Sequence, residues 1–137
     1  MYSKETIIQA WLDKAYQDER AFYLLRVPAL NLGETAAFHA QQAVEKWLKA
    51  LLVFNNINFR KTHDINVLIN LLTPVYNELT SNEFNISSLL LSEYAVDIRY
   101  PVDFGFITNN ALDIDRVEAS LKLFKSFTQQ KLPNFAL

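Results

Sequence analysis

Cysteine is absent from this 137-residue chain, and glycine and proline are scarce. The absence of cysteine excludes disulfide bonds, thiolate metal ligands and a cysteine nucleophile. The two glycines, Gly33 and Gly105, stand alone, which excludes a glycine-rich phosphate-binding loop. The four prolines are also widely separated: Pro28, Pro74, Pro101 and Pro133. Long periodic segments with so few helix-breaking residues between them predict an all-α fold.

Long hydrophobic runs and a strong net charge are lacking too. The longest strongly apolar runs, 21–25 and 50–54, are far shorter than the ~20 residues that span a bilayer. No basic segment precedes an apolar one at the N-terminus, so no secretory signal is predicted. A formal net charge of −2 gives no overall attraction to nucleic acid. We therefore expect a cytoplasmic protein with no membrane partner, in which nucleic-acid binding would need a local basic patch.

Signatures of metal binding and of nucleophilic hydrolysis are missing as well. The two histidines, His39 and His63, stand far apart in the sequence and form no paired-ligand motif. No Gly-x-Ser-x-Gly segment is present. We expect neither a bound metal nor any other cofactor.

Length and periodicity predict one domain over residues 1–137, built from five helices. Half of the residues are apolar, which is enough for a substantial core. Ser3 is the predicted N-cap of the first helix. The first two helices are predicted over Lys4 to Arg26 and Glu34 to Asn55. The third is short, is capped by Thr62 or Asp64, and is stopped or kinked at Pro74. The fourth runs from Asn85 or Ser87 to just before Pro101, and the fifth from a Thr108 cap to about Lys131.

The second predicted helix has two distinct sides. One side carries alanines followed by Trp47 and Phe54, which predicts a central place in a bundle, with a neighbouring helix close to the alanines. The other side carries a polar stripe at spacings of three, four and seven residues: His39, Gln42, Glu45, Lys46 and Lys49. This stripe could bind phosphate or the acidic residues of a partner helix. It could equally be a solvated face, on which Glu45 and Lys49 form an ordinary surface ion pair.

Two further polar groups are candidates for binding. His63 and Asp64 follow Arg60 and Lys61 closely. This cluster could contact a nucleotide or RNA, or it could be a helix start at which Asp64 is the cap and His63 bonds a carbonyl group.

Arg99, Tyr100 and Pro101 end the fourth predicted helix. An arginine at this place can interact with the free carbonyl groups and the helix dipole. Alternatively, Arg99 could bind phosphate or carboxylate at the mouth of a groove, with the Tyr100 ring as a stacking surface.

Three segments, in this order, resemble the HEPN domain family, whose name stands for nucleotide-binding domains of higher eukaryotes and prokaryotes. The segments are Gln41–Leu51, Thr62–Ile65 followed by Leu68, and Tyr94 followed by Arg99–Pro101. The resemblance covers about Ser3 to Lys131. It implies an up-and-down bundle of four to five helices that usually forms a homodimer, an expectation that the alanine-rich second helix and the many aromatic residues also support.

The resemblance also implies partners and an activity. Domains of this kind are often encoded beside a minimal nucleotidyltransferase, as a pair similar to a toxin and its antitoxin. Many members of the wider family are metal-independent ribonucleases that use an arginine followed after four to six residues by a histidine. Here the positions after Arg99 hold Phe104, Gly105 and Phe106, and no histidine follows Asp64. The missing general acid or base contributes typically ~100- to 10,000-fold in such reactions.

We therefore favour a HEPN-domain protein that is not a catalyst and binds a nucleotide, RNA or a nucleotidyltransferase partner. The expected ligand-binding residues are Gln42, Glu45, Lys46, Lys49, His63, Asp64, Arg99 and Tyr100. The first alternative is a divergent ribonuclease toxin that uses Arg99 with His63 or His39. The second alternative is a purely structural interaction module.

Overall fold

The computed structural model describes residues 1–99 and 113–137, and the side chains of 94–99 lie outside that description. The described residues form α1 (Lys4–Leu25), α2 (Gly33–Phe54), α3 (Ile65–Leu72), α4 (Asn82–Arg99) and α5 (Ile114–Lys131). Single turns of 3₁₀ helix, Pro28–Leu30 and Asn77–Thr80, lie before α2 and α4. No strand occurs in this described part, and the predicted all-α fold is confirmed.

The first two helices begin and end almost where the sequence predicts. The hydroxyl oxygen of Ser3 accepts a hydrogen bond from the Thr6 backbone N–H (3.1 Å), which confirms Ser3 as the N-cap of α1. In the turn before α2, Asn31 adopts the left-handed conformation with φ at 54°. Asparagine tolerates this conformation better than most residues, so it can reverse the chain direction here.

The starts of the later helices differ from the prediction. Asp64, and not Thr62, caps α3, because its carboxylate accepts from the Asn66 N–H (2.9 Å). α4 begins at Asn82, so the predicted start at Asn85 or Ser87 is wrong. The physical reason is that the extended Ser81 already supplies the carbonyl that accepts from the Asn85 N–H (3.1 Å).

The fifth helix begins later than expected. Asp113 is its N-cap and accepts from the Arg116 N–H (3.2 Å), so the helix starts at Ile114. The predicted cap, Thr108, lies outside the described residues.

α2 is the central helix, as predicted, and packs against α1, α3, α4 and α5. Its alanines are fully buried in the chain's own core: Ala36, Ala37, Ala40, Ala43 and Ala50. The alanine face is therefore buried inside one chain and gives no support to dimerisation. This corrects one of the reasons from which a homodimer was expected.

Side-chain contacts show that α1 is antiparallel to both α2 and α5. Near the start of α1 the Lys4 ammonium lies over the Phe54 ring at the end of α2, with 5.4 Å to the ring centroid. Near the other end of α1, Arg26 pairs with Asp115 (2.6 Å) and with Glu118 in the first turns of α5. None of the helices in the described residues is long and apolar enough to cross a membrane.

Candidate functional site

The polar stripe of α2 is contacted from α1 by Asp18 and Trp11 and from the segment 55–64 by His63; we call this polar region the α2 groove. Two of its members, Glu45 and Lys49, are only 1% and 4% exposed. Lys49 Nζ donates to Glu45 Oε1 at 2.7 Å, across one helical turn. The interpretation of this pair as an ordinary surface ion pair is therefore wrong. Both neighbours contact the pair, because Trp11 of α1 lies at Lys49 and His63 of the returning segment lies at Glu45.

Glu45 holds His63 as well as Lys49. His63 Nδ1 lies 2.9 Å from Glu45 Oε1, while Gln42 Nε2 donates to Glu45 Oε2 (3.2 Å). The His63 side chain is 53% exposed although its partner is buried. A second bond fixes the backbone of the same residue, because Gln41 Nε2 donates to the His63 carbonyl (3.1 Å). His63 is thus held against α2 through both its ring and its backbone carbonyl.

A similar arrangement lies further along the stripe. His39 Nδ1 lies 2.8 Å from Asp18 Oδ1, and Lys46 Nζ donates to Asp18 Oδ2. Asp18 belongs to α1 and is buried, while His39 and Lys46 are half-buried. This cluster therefore ties α1 to α2 through a carboxylate that accepts from an imidazole and from an ammonium group.

The two clusters have the same arrangement of side-chain types. In each, a buried carboxylate accepts from the Nδ1 edge of a histidine, and a lysine balances the carboxylate charge. A carboxylate is an acceptor only, so Nδ1 carries the proton in both rings. Nε2, on the opposite edge of each ring, then carries the lone pair. In each cluster a carboxylate orients an imidazole, and an imidazole held in this way can bind a ligand or transfer a proton.

Aromatic contacts extend the Glu45 cluster towards α1. Lys49 Nζ lies 5.2 Å from the centroid of the Trp11 ring, which is consistent with a cation–π contact. On the surface, Trp11 lines a shallow, mostly apolar depression of about 560 Å³ together with Tyr2, Ile7 and Lys14. The buried ion pair is thus connected to the surface through one indole ring.

Exposed basic residues lie next to the groove. Arg60, Lys61 and Asp64 are exposed on the segment that carries His63. In the part of the chain that the structure describes, neither Arg60 nor Lys61 forms an ion pair. They are the local positive charge near the groove, whereas Lys46 and Lys49 are each matched by a carboxylate.

Two predicted site residues cannot be placed in the groove. Arg99 is the last residue of α4, and its side chain is outside the described set, as is the whole of Tyr100. The structure joins four of the expected ligand-binding residues in one hydrogen-bonded cluster, which are Gln42, Glu45, Lys49 and His63. Lys46 belongs to the cluster of Asp18 and His39. The role that the structure shows for Asp64 is that of the N-cap of α3.

Sequence reasoning missed Asp18 and Gln41, which position the two histidines. The available signal was the helical register of α1, which places Asp18 on the same side as Ala15 and Phe22, because a buried charge needs a partner. Among the residues that the structure describes, no three His, Asp or Glu side chains form a group that could hold a metal ion.

The fold and the groove define a helical-bundle domain whose central helix carries paired carboxylate–histidine clusters. A scan of family models matches the HEPN domain over residues 8–131, most of the chain. This protein belongs to the HEPN domain family. Membership supports a role related to nucleotides or RNA. Comparisons with curated proteins and with solved structures gave no match.

Proposed function

We propose that this protein binds a nucleotide or RNA in the α2 groove without catalysing a reaction on it. The observation that carries the proposal is the Glu45–His63 contact of 2.9 Å, in which a buried carboxylate presents a half-exposed imidazole to solvent. Arg60 and Lys61 precede His63 on the same segment, exposed and without a carboxylate partner in the described residues. Imidazole, guanidinium and ammonium groups on one short segment suit a ligand with hydroxyl and phosphate groups.

Calorimetric titration with ATP and with a short RNA tests this proposal. We expect binding that weakens as salt is added, because phosphate contacts release counterions. Reversal of the charge at Arg60 and Lys61, in the double variant Arg60→Glu with Lys61→Glu, should weaken binding strongly. The matched control is Arg116→Glu on α5, which changes an exposed cation elsewhere. No heat of binding at millimolar ligand would contradict the proposal and leave a purely structural interaction module.

A divergent ribonuclease is the second candidate, because a carboxylate-oriented imidazole can act as a general base. Arg99 would supply the charge that stabilises the transition state, with His63 or His39 as the proton carrier. We expect purified protein to show no cleavage of RNA. Cleavage that is lost in both Arg99→Ala and His63→Asn would establish the enzyme instead.

Partnership is a separate part of the proposal. Domains of this family often form dimers, and the resemblance implies a minimal nucleotidyltransferase as the second component of a toxin–antitoxin-like pair. If such a partner gene is adjacent, mixing the two purified proteins should give a complex by size-exclusion chromatography. Separate elution at micromolar concentration would contradict a stable pair.

A further inference from the structure

We propose that one face of α4 is a docking surface for a basic amphipathic helix of another protein. We call it the α4 outer face, and its residues are Glu83, Ile86, Leu89 and Glu93. The inference goes beyond nucleotide or RNA binding, because it concerns a different helix and a partner whose charge is opposite to that of nucleic acid. The two proposals can therefore fail independently of each other.

Two large apolar side chains are exposed on this face. Ile86 is 56% exposed and Leu89 is 63% exposed. The core side of the same helix carries Phe84, Ser88 and Leu91, which are 7%, 2% and 0% exposed. A single exposed apolar residue is normal on a protein surface, but Ile86 and Leu89 are three positions apart and hence neighbours on one helix face. Together they offer adjoining apolar area that a partner can remove from water.

The charge on the α4 outer face is entirely negative. Residues 82–93 contain Glu83 and Glu93 and no lysine or arginine. Glu83 lies three positions before Ile86. Glu93 lies four positions after Leu89, so the four side chains follow one stripe along the helix. Both glutamates are exposed, and neither forms an ion pair with another of the described residues. The stripe therefore has two apolar side chains between two carboxylates whose charge is not balanced.

This pattern of charge disfavours a second copy of the chain on the α4 outer face. If two copies of α4 pack antiparallel about a two-fold axis near Ser88, Glu83 of one copy comes opposite Glu93 of the other. If they pack parallel, each glutamate comes opposite its own equivalent. Both arrangements bring like charges together, which costs binding free energy. Nucleic acid and anionic lipid are disfavoured for the same reason, because they also carry negative charge.

A helix with basic residues on both sides of an apolar stripe complements all four side chains. Glu83 and Glu93 are ten positions apart, which corresponds to about 15 Å along the helix axis. A partner helix of similar length can place a lysine or arginine near each carboxylate. Its apolar residues, at spacings of three or four, can then pack against Ile86 and Leu89. The charged pairs at the two ends fix the register and exclude acidic partners.

The test uses two synthetic helical peptides that differ only in charge. Both carry one stripe of leucines, and the positions on either side of the stripe are lysine in one peptide and glutamate in the other. The labelled peptides are titrated with the full chain and followed by fluorescence anisotropy. We expect the lysine peptide to bind at least about tenfold more tightly, because in the glutamate peptide two attractions are replaced by two repulsions. Equal affinity for the two peptides, or no binding of either, would overturn the inference.

Charge reversal on the protein locates the peptide. In the double variant Glu83→Lys with Glu93→Lys the preference should reverse, so that the glutamate peptide binds more tightly. The matched control is Glu5→Lys, because Glu5, like Glu83, is an exposed glutamate in the first turn of its helix. This control should keep the preference of the wild-type chain. A double variant that still prefers the lysine peptide would show that the peptide binds elsewhere, and would overturn the inference.

Removal of the apolar side chains tests the other half of the surface. Ile86→Ser with Leu89→Ser should weaken binding of the lysine peptide by about tenfold or more, whereas Val67→Ser, at an exposed apolar position of α3, should not. Circular dichroism checks that each variant is folded. Unchanged affinity in the double serine variant would overturn the inference. A wild-type dimer that becomes a monomer in this variant, measured by light scattering, would assign the face to a second copy and also overturn it.

Discussion

Lys49 and Glu45 form an ion pair of 2.7 Å in which the side chains are only 5% and 2% exposed. α5 contains an i, i+4 pair of the same chemistry, Glu118 and Lys122, at 2.9 Å, but there the side chains are 20% and 64% exposed. The two pairs share spacing and charge and differ in burial. Together they provide a matched test of what burial does to an ion pair in one protein.

Lys49→Met should lower the free energy of unfolding by about 3 kcal/mol, because it leaves the Glu45 carboxylate buried with its charge unbalanced. Lys122→Met should change it by less than about 0.5 kcal/mol, since an exposed pair contributes little. Urea denaturation followed by circular dichroism measures both values. Similar losses of unfolding free energy in the two variants would contradict the conclusion that the Glu45–Lys49 pair is buried and the Glu118–Lys122 pair exposed.

The double variant Glu45→Gln with Lys49→Met should be more stable than the sum of the two single losses implies. Removing both charges leaves no unbalanced group in the core, whereas each single variant leaves one. A double-mutant cycle by urea denaturation gives the coupling free energy, which we expect to exceed about 1 kcal/mol. Strict additivity would mean that the two side chains do not interact as described.

Both histidines should carry the neutral-ring proton on Nδ1, because each Nδ1 faces an acceptor-only carboxylate within 2.9 Å. Long-range ¹H–¹⁵N correlation spectra of the imidazole rings distinguish this tautomer from the Nε2–H form. In Asp18→Asn the constraint on His39 is removed and that on His63 stays, so His63 is the internal control. An Nε2–H pattern for His63 in the wild-type protein would rule out the proposed geometry.

Asp64→Ala should reduce stability by about 1 kcal/mol, since the Asp64 carboxylate caps α3 through the Asn66 N–H. Asp64→Ser should recover most of the loss, because a serine hydroxyl can accept the same bond. Thermal denaturation of the two variants measures the difference. If alanine and serine are equally destabilising, the role of Asp64 lies elsewhere.

Light scattering should give twice the chain mass of 15.8 kDa if the protein forms the homodimer that its family suggests. We place the contact at Ile7 of α1 and at Tyr2 just before it, which are two of the exposed apolar residues. Ile7→Lys should shift the mass towards the monomer, whereas Val67→Lys on α3 is a control at another exposed apolar position. A monomer mass for the wild-type chain in dilute solution would contradict the dimer.

The sequence predicted the helices and the central place of α2 because apolar periodicity reports directly which side of a helix is buried. It also predicted that His39, Gln42, Glu45, Lys46 and Lys49 share one side. Periodicity does not report what covers a polar side, so the burial of Glu45 could not be derived. The contacts on that polar side come from Asp18 and Trp11 of α1 and from His63 of the returning segment, none of which periodicity reports.

The first residue of a helix is also difficult to predict from the sequence. Asn85 and Ser87 are good capping residue types, but the observed start of α4 depends on the extended backbone of Ser81. Capping preferences rank residue types and leave several nearby positions almost equivalent. The choice between them is made by the 3₁₀ turn that precedes α4 and by the packing of Phe84 against Phe124, at 5.2 Å between ring centroids.

Enclosure of α2 by four other helices has a consequence for hydrogen exchange. A backbone amide in a helix exchanges with solvent only when that helix opens, and α2 cannot open without displacing α1, α3, α4 or α5. Its amides should therefore exchange at the rate set by global unfolding, while those of the segment 55–64 exchange through smaller openings. His39 and Glu45 would then stand on the slowest-exchanging part of the chain, and His63 would be able to leave and rejoin its carboxylate without unfolding of the domain.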